Sequence, residues 1–184
     1  CARDCLSVAI AETRDHGWVD HDRIYCEFNY YGDETMNREA LKARLAIEEG
    51  ERLAAYLDTE GILTVGIGHN CAVKPVAGVT KVGDRITTEL EQELFDKDVD
   101  EACAHLDHSM VWWRGLDDAR QNVMVDLCFN MGIGTLLTFH NTLLAIQLGN
   151  YDIAAAGLLA SKWHKQVGNR AIFLENVMKT GIYA

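Results

Sequence analysis

Two carboxylates and a hydroxyl follow one another closely in this chain: Glu49, then Asp58 nine positions later, then Thr64 six further on. Cleavage of a glycosidic bond needs two carboxyl groups in unlike settings. One stays protonated and gives its proton to the leaving oxygen; the other is ionised and directs a water or stabilises positive charge on the sugar. Glu49 directly precedes Gly50, a natural helix stop, so its carboxyl is expected at a helix C-terminus, the negative end of the helix dipole and a setting that favours the neutral acid. Asp58 opens the run Asp58-Thr59-Glu60-Gly61, where Asp in first place and Gly in fourth suit an exposed type I turn. Thr64 falls in the returning strand. Two different elements would then bring the carboxylates to a substrate from opposite sides. Taken singly these residues are ordinary, and the neighbours Glu48, Glu51 and Glu60 are expected to be plain surface charges.

The elements that must position them are legible from periodicity and stop signals. Asn37 is a candidate N-cap, Glu39 suits a first turn, and Leu41 and Leu45 keep helical spacing up to Gly50. Residues 53–56 and 62–67 read as a hairpin, and 71–85, with Pro75, Gly78 and Gly83, as loop or irregular strand. A long helix begins at Thr87 or Thr88, where Thr88 and Glu91 offer a capping box; its stripe is Leu90, Leu94, Phe95, Val99, Ala102, Cys103 and Leu106. Further helices are expected at 117–131, stopped by Gly132-Ile133-Gly134, and at 139–148, 152–163 and 169–179. This order predicts an α+β fold of two lobes, 37–86 and 108–184, with a cleft between them and the long helix as hinge. Cys103 and Cys128 fit buried thiols. Trp112-Trp113 is expected in core packing, with a sugar-stacking platform as the alternative.

The spacing Glu49, Asp58, Thr64, followed by Gly66-Ile67-Gly68-His69, resembles the phage-type lysozymes, glycoside hydrolase family 24. The likeness extends through Phe95-Asp96-Lys97-Asp98-Val99-Asp100, Phe129-Asn130-Met131-Gly132, Phe139-His140-Asn141-Thr142-Leu143, Ser161-Lys162-Trp163 and Asn169-Arg170-Ala171, and so covers residues 37–184. It implies a lysozyme-like fold, a small antiparallel sheet lobe and a helical lobe joined by a long helix. It also implies an inverting muramidase that cleaves the β-1,4 bond between N-acetylmuramic acid and N-acetylglucosamine in bacterial peptidoglycan. By the same resemblance Glu49 is the general acid, Asp58 assists the water or the developing charge, and Thr64 positions the water. Asn70, Phe129 and Thr142 contact sugar, and Arg170 pairs with the catalytic glutamate, which competes with the helix-end effect. His69 is expected to pair with Asp98 in a structural role. Where the family has a further sugar-contacting asparagine, this chain has Gly157. A lytic transglycosylase, using Glu49 alone, and a non-catalytic wall-binding module are the rival readings.

Composition bounds the rest. With 184 residues, 48% apolar and 24% charged, the chain is globular, and no stretch approaches the roughly 18 apolar residues of a membrane span. A net charge of −11, from 17 Lys+Arg and 28 Asp+Glu, argues against nucleic acid as a partner. It also departs from the basic character of many lysozymes of this type, except over 160–184, where Lys162, Lys165, Arg170 and Lys179 face Glu175. An acidic catalytic module carried on a larger particle has less need of long-range steering. The resemblance thus implies a phage-encoded enzyme acting on the bacterial cell wall in the periplasm. It acts either as a lysis enzyme held in the host cytoplasm before release or as a virion-associated module.

Residues 1–36 carry eight acidic and three basic residues together with Tyr25, Phe28, Tyr30 and Tyr31. They read as a folded appendage or the end of a preceding domain, joined to a parent phage tail or virion protein, with 37–184 as the catalytic domain. The chain opens on Cys1, which suggests processing or excision from something longer, with lipid attachment at Cys1 an option, and shows no secretory signal. Cys1, Cys5, His16, His21 and Cys26 match no common zinc spacing, so a disulfide or free thiols are preferred. His105 and His108 fit a solvated helix face. Gly66 and Gly68 alternate in a strand with no helix start behind them, so a phosphate loop is set aside. No metal and no cofactor is expected.

Overall fold

The computed structural model describes residues 36–58 and 60–183, all within one compact unit, Asp33–Ala184. The readings of Cys1, Cys5, His16, His21, Cys26 and the aromatic residues of the N-terminal segment lie outside the described residues.

Helix α1 (Arg38–Glu49) starts at Asn37, whose Oδ1 accepts a hydrogen bond from the Ala40 amide at 2.9 Å and so satisfies one of the free amides of the first turn. It ends at Gly50, at φ +76°. The chain passes directly into β1 (Glu51–Leu57), which pairs antiparallel with β2 (Leu63–Ile67). A third strand the sequence did not announce, β3 (His69–Asn70), pairs with the far side of β2. Its cause is Gly68 at φ +69°, which reverses the chain in a region closed to most side chains. The β1–β2 register shifts between Arg52 and Tyr56; beyond it Tyr56 faces Thr64, and Thr64 faces Asn70.

The long helix α2 (Thr88–Ser109) is capped one residue earlier than the capping-box reading places it: Thr87 is extended, and its hydroxyl accepts from the Leu90 amide at 3.2 Å. With Thr88 already helical, the phase of the helix turns Glu91 inward, where it is buried against Gly66 and accepts from Lys42 Nζ at 3.1 Å. A 3-10 helix (Val111–Gly115) leads to α3 (Asp118–Leu136), capped by Asp117 and broken at Gly132, at φ +74°, where the sequence placed its end. Then come α4 (His140–Gln147), α5 (Tyr151–Leu159), α6 (Lys162–Val167) and α7 (Asn169–Thr180), closed by a left-handed Gly181. The single helix expected at 152–163 is two, because Ser161 leaves helical geometry and caps α6 by accepting from the His164 amide at 3.0 Å.

Two apolar cores result. The smaller, under the sheet, joins Ala55, Val65, Cys71, Val76, Val79, Ile86 and Leu94. The larger gathers α3, α4, α5 and α7 around Trp113, and it includes Cys103, Cys128, Leu41 and Leu45. Helix α1 therefore belongs to the helical core, which corrects the grouping of residues 37–86 into one lobe. Apolar burial of Leu41 and Leu45 ties it there, and Asn122 Nδ2 donates to the Asn37 carbonyl at 3.0 Å. Helix α2 serves both cores, with Leu94 in one and Phe95 in the other. The architecture is the expected α+β one. No helix among the described residues is long and apolar enough to cross a membrane.

Candidate active site

Glu49 is the last residue of α1, and Gly68 approaches it closely enough that a Cβ there would lie 3.2 Å from Glu49 Cγ. Its carboxylate takes a hydrogen bond from Arg170 Nη1 at 2.5 Å, across the molecule from α7. The same guanidinium donates through Nε to Asp126 Oδ1 at 2.8 Å, and both Arg170 and Asp126 are buried. Arginine is suited to this bridge because its rigid fork serves two carboxylates at once. Burial opposes the Arg170 charge, but Asp126 and Glu49 outweigh it and hold the guanidinium above its ordinary value. Burial pushes the Asp126 carboxyl up, and Arg170 offsets that only in part.

Asp58 closes the hairpin. Its Oδ1 accepts from the amides of Glu60 (2.9 Å) and Ile62 (2.8 Å), and its carbonyl accepts from Gly61 at 3.1 Å, the turn its residue types foretell. Burial first, then the Glu49 charge and, more weakly, that of Asp58, push the Tyr56 phenol up, with Arg52 opposing. Arg52 lies 4.4 Å over that ring. Thr64 is buried, its hydroxyl donating to the Ile62 carbonyl at 3.1 Å. Asn70 Oδ1 accepts from the amides of Ala72 and Val73, which leaves its NH2 group to point elsewhere.

Thr64, Asn70 and Tyr56 thus share one row of the sheet, and Arg170 meets Glu49. Phe129 stands three residues from Asp126 on α3, on the same helix face, packed on the larger core. Thr142 is placed differently: it is buried on α4 against α5, where a Cβ at Gly157 would lie 2.3 Å from its hydroxyl. Two participants escaped the sequence reading. Asp126 carried a signal, a lone carboxylate in the apolar run Val123-Met124-Val125-Asp126-Leu127-Cys128. Tyr56 carried none beyond its place in a strand.

Around this centre, His69 Nδ1 meets Asp98 at 2.7 Å and Nε2 meets the Lys74 carbonyl at 3.0 Å. Both partners are acceptors, so the form that satisfies both is the protonated imidazole, with a donor on each nitrogen. The Asp98 hydrogen bond raises the His69 value against the cost of burial. Burial pushes Asp98 up, yet the bonds from His69 and Lys74 bring its net value below the ordinary one. Glu48 is no plain surface charge, since it pairs with Arg44, whose guanidinium stacks 3.9 Å over Phe173. Trp113 is buried in the core and donates to Asp107 at 2.7 Å. The basic cluster is partly spent: Arg170 is bridged and Lys179 pairs with Asp152 at 3.1 Å.

The phage lysozyme family profile matches residues 46–176. A probable T4-type lysozyme of Dictyostelium discoideum is 29% identical over 163 residues, covering 77% of this chain and 95% of that protein. The endolysin of Salmonella phage P22 is 34% identical over 122 residues, 65% of this chain and 78% of that one. The pre-baseplate central spike protein Gp5 of Enterobacteria phage T4 is 28% identical over 152 residues, 73% of this chain but 26% of the spike protein's length.

Proposed function

Since the chain belongs to the phage lysozyme family, we propose that it is a muramidase, hydrolysing the β-1,4 bond between N-acetylmuramic acid and N-acetylglucosamine of bacterial peptidoglycan. The observation that supports this reading is that Glu49, at a helix end and bonded to Arg170, leads directly into the hairpin whose turn is held by the second, unlike carboxylate, Asp58. Glu49 gives its proton to the glycosidic oxygen as the bond to the anomeric carbon breaks. Asp58 draws a proton from a water that Thr64 helps to place, and the water attacks the opposite face with inversion. Asn70 and Phe129 contact the sugar, as does Thr142, and no cofactor takes part. Replacing Glu49 by Gln keeps the shape and removes the proton, so wall-clearing activity should fall about 10²–10⁴-fold. Mass spectrometry of the products should show reducing N-acetylmuramic acid ends; anhydro ends would mark a transglycosylase and overturn the hydrolytic step.

Similarity to the T4 spike protein favours a second reading for the setting: a virion-associated module joined to a larger tail protein through residues 1–36, as against a free lysis enzyme. Mass spectrometry of purified virions decides it, because a lysis enzyme is absent from the particle.

A further inference from the structure

We propose that Tyr56 is a further substrate-positioning residue, its phenol hydroxyl hydrogen-bonding the sugar held between Glu49 and Asp58; this rests on the muramidase reading. Residues directly opposite in antiparallel strands project to the same face. Tyr56 faces Thr64 across β1–β2, and Thr64 faces Asn70 across β2–β3. The three polar side chains therefore form one row, about 10 Å long at the usual strand spacing.

In that row the other two groups are partly committed. The Thr64 hydroxyl donates to the Ile62 carbonyl, and the Asn70 oxygen accepts two backbone amides. The Tyr56 hydroxyl makes no hydrogen bond among the described residues, although its ring is half-buried and covered by Arg52 at 4.4 Å. A tyrosine with an apolar body fixed and a polar tip unspent is built to offer that tip to something else. Burial and the Glu49 charge push its phenol up, so it stays a donor wherever the carboxylates work. A neutral donor complements the oxygens of a sugar hydroxyl or an acetamido carbonyl. Ionised carboxylates, which only accept, do not supply one.

The test compares the wild-type chain with Tyr56→Phe, which keeps the ring and the Arg52 stack and deletes only the hydroxyl. With no protein partner lost, the Tm should stay within about 2 °C, while kcat/KM on purified peptidoglycan falls about five- to tenfold, the worth of one neutral hydrogen bond. In the Glu49→Gln background, calorimetric affinity for an N-acetylglucosamine oligomer should weaken by the same factor on adding Tyr56→Phe. Turnover within twofold of wild type, or a loss that tracks a fallen Tm, overturns the proposal. If the wild type hydrolyses nothing, the muramidase reading has failed, and the oligomer affinities alone decide Tyr56: weaker binding upholds the contact, and equal binding removes it.

Discussion

His69 illustrates how a single residue divides between stability and chemistry. It is buried beside Asp98, so replacing it by Asn leaves a buried carboxylate with Lys74 as its remaining partner; breaking such a pair costs about 3–5 kcal/mol when the ring is protonated. The pH dependence follows from the two shifts. The raised His69 value gives stability that is complete below about pH 6.5 and is lost as pH rises through the folded value. The lowered Asp98 value gives stability present above about pH 3.9 and lost as pH falls through its folded value. The Tm gap between wild type and His69→Asn should therefore be widest near pH 5–6 and narrow as pH rises through the folded His69 value, with turnover less affected than Tm. A gap that grows toward pH 9 contradicts the charged ring. Of the candidate site, the spacing of Glu49, Asp58 and Thr64 was legible because it is tied to local stops and turns. Asp126 was not, because its partner Arg170 is 44 residues away.

At the scale of the element, caps and close approaches set the boundaries. Thr87→Ala should cost about 1 kcal/mol, or roughly 2–4 °C in Tm, and Thr88→Ala almost nothing, since the Leu90 amide is held by Thr87. The pattern Thr-Thr with Glu91 fits either cap; only the burial of Glu91 against β2 chooses between them. Gly157 makes a sharper case. In an open helix, Gly→Ala stabilises by about 1 kcal/mol, but the 2.3 Å approach to the Thr142 hydroxyl brings an overpacking cost of about 1–3 kcal/mol. Gly157→Ala should lower Tm in the wild-type chain and raise it in a Thr142→Ala background; a rise in both would show that Thr142 moves aside freely, and a fall in both that its hydroxyl is not the obstacle.

For the whole molecule, charge and lobe membership matter most. A net charge of −11 repels a polyanionic wall, and in the C-terminal basic cluster Lys162 and Lys165 have no ion-pair partner among the described residues, while His164 is paired with Glu175. If the substrate is the wall polymer, kcat/KM should rise between about 20 and 150 mM salt as the Debye length contracts toward 8 Å, opposite to the fall expected of a basic lysozyme. The chain's residues by themselves determined the order of helix, hairpin, long helix and bundle. They determined the spacing of Glu49, Asp58 and Thr64 too, because periodicity, stop residues and turn chemistry act within a few positions. The tertiary structure alone decided that α1 roots in the helical core and carries Glu49 to the sheet that bears Asp58. It also decided that Arg170 bridges Glu49 to a buried Asp126, and that Tyr56, Thr64 and Asn70 stand in one row. Each of these depends on contacts between segments far apart in the chain, where side-chain volume and charge are settled by packing and no local pattern records the partner.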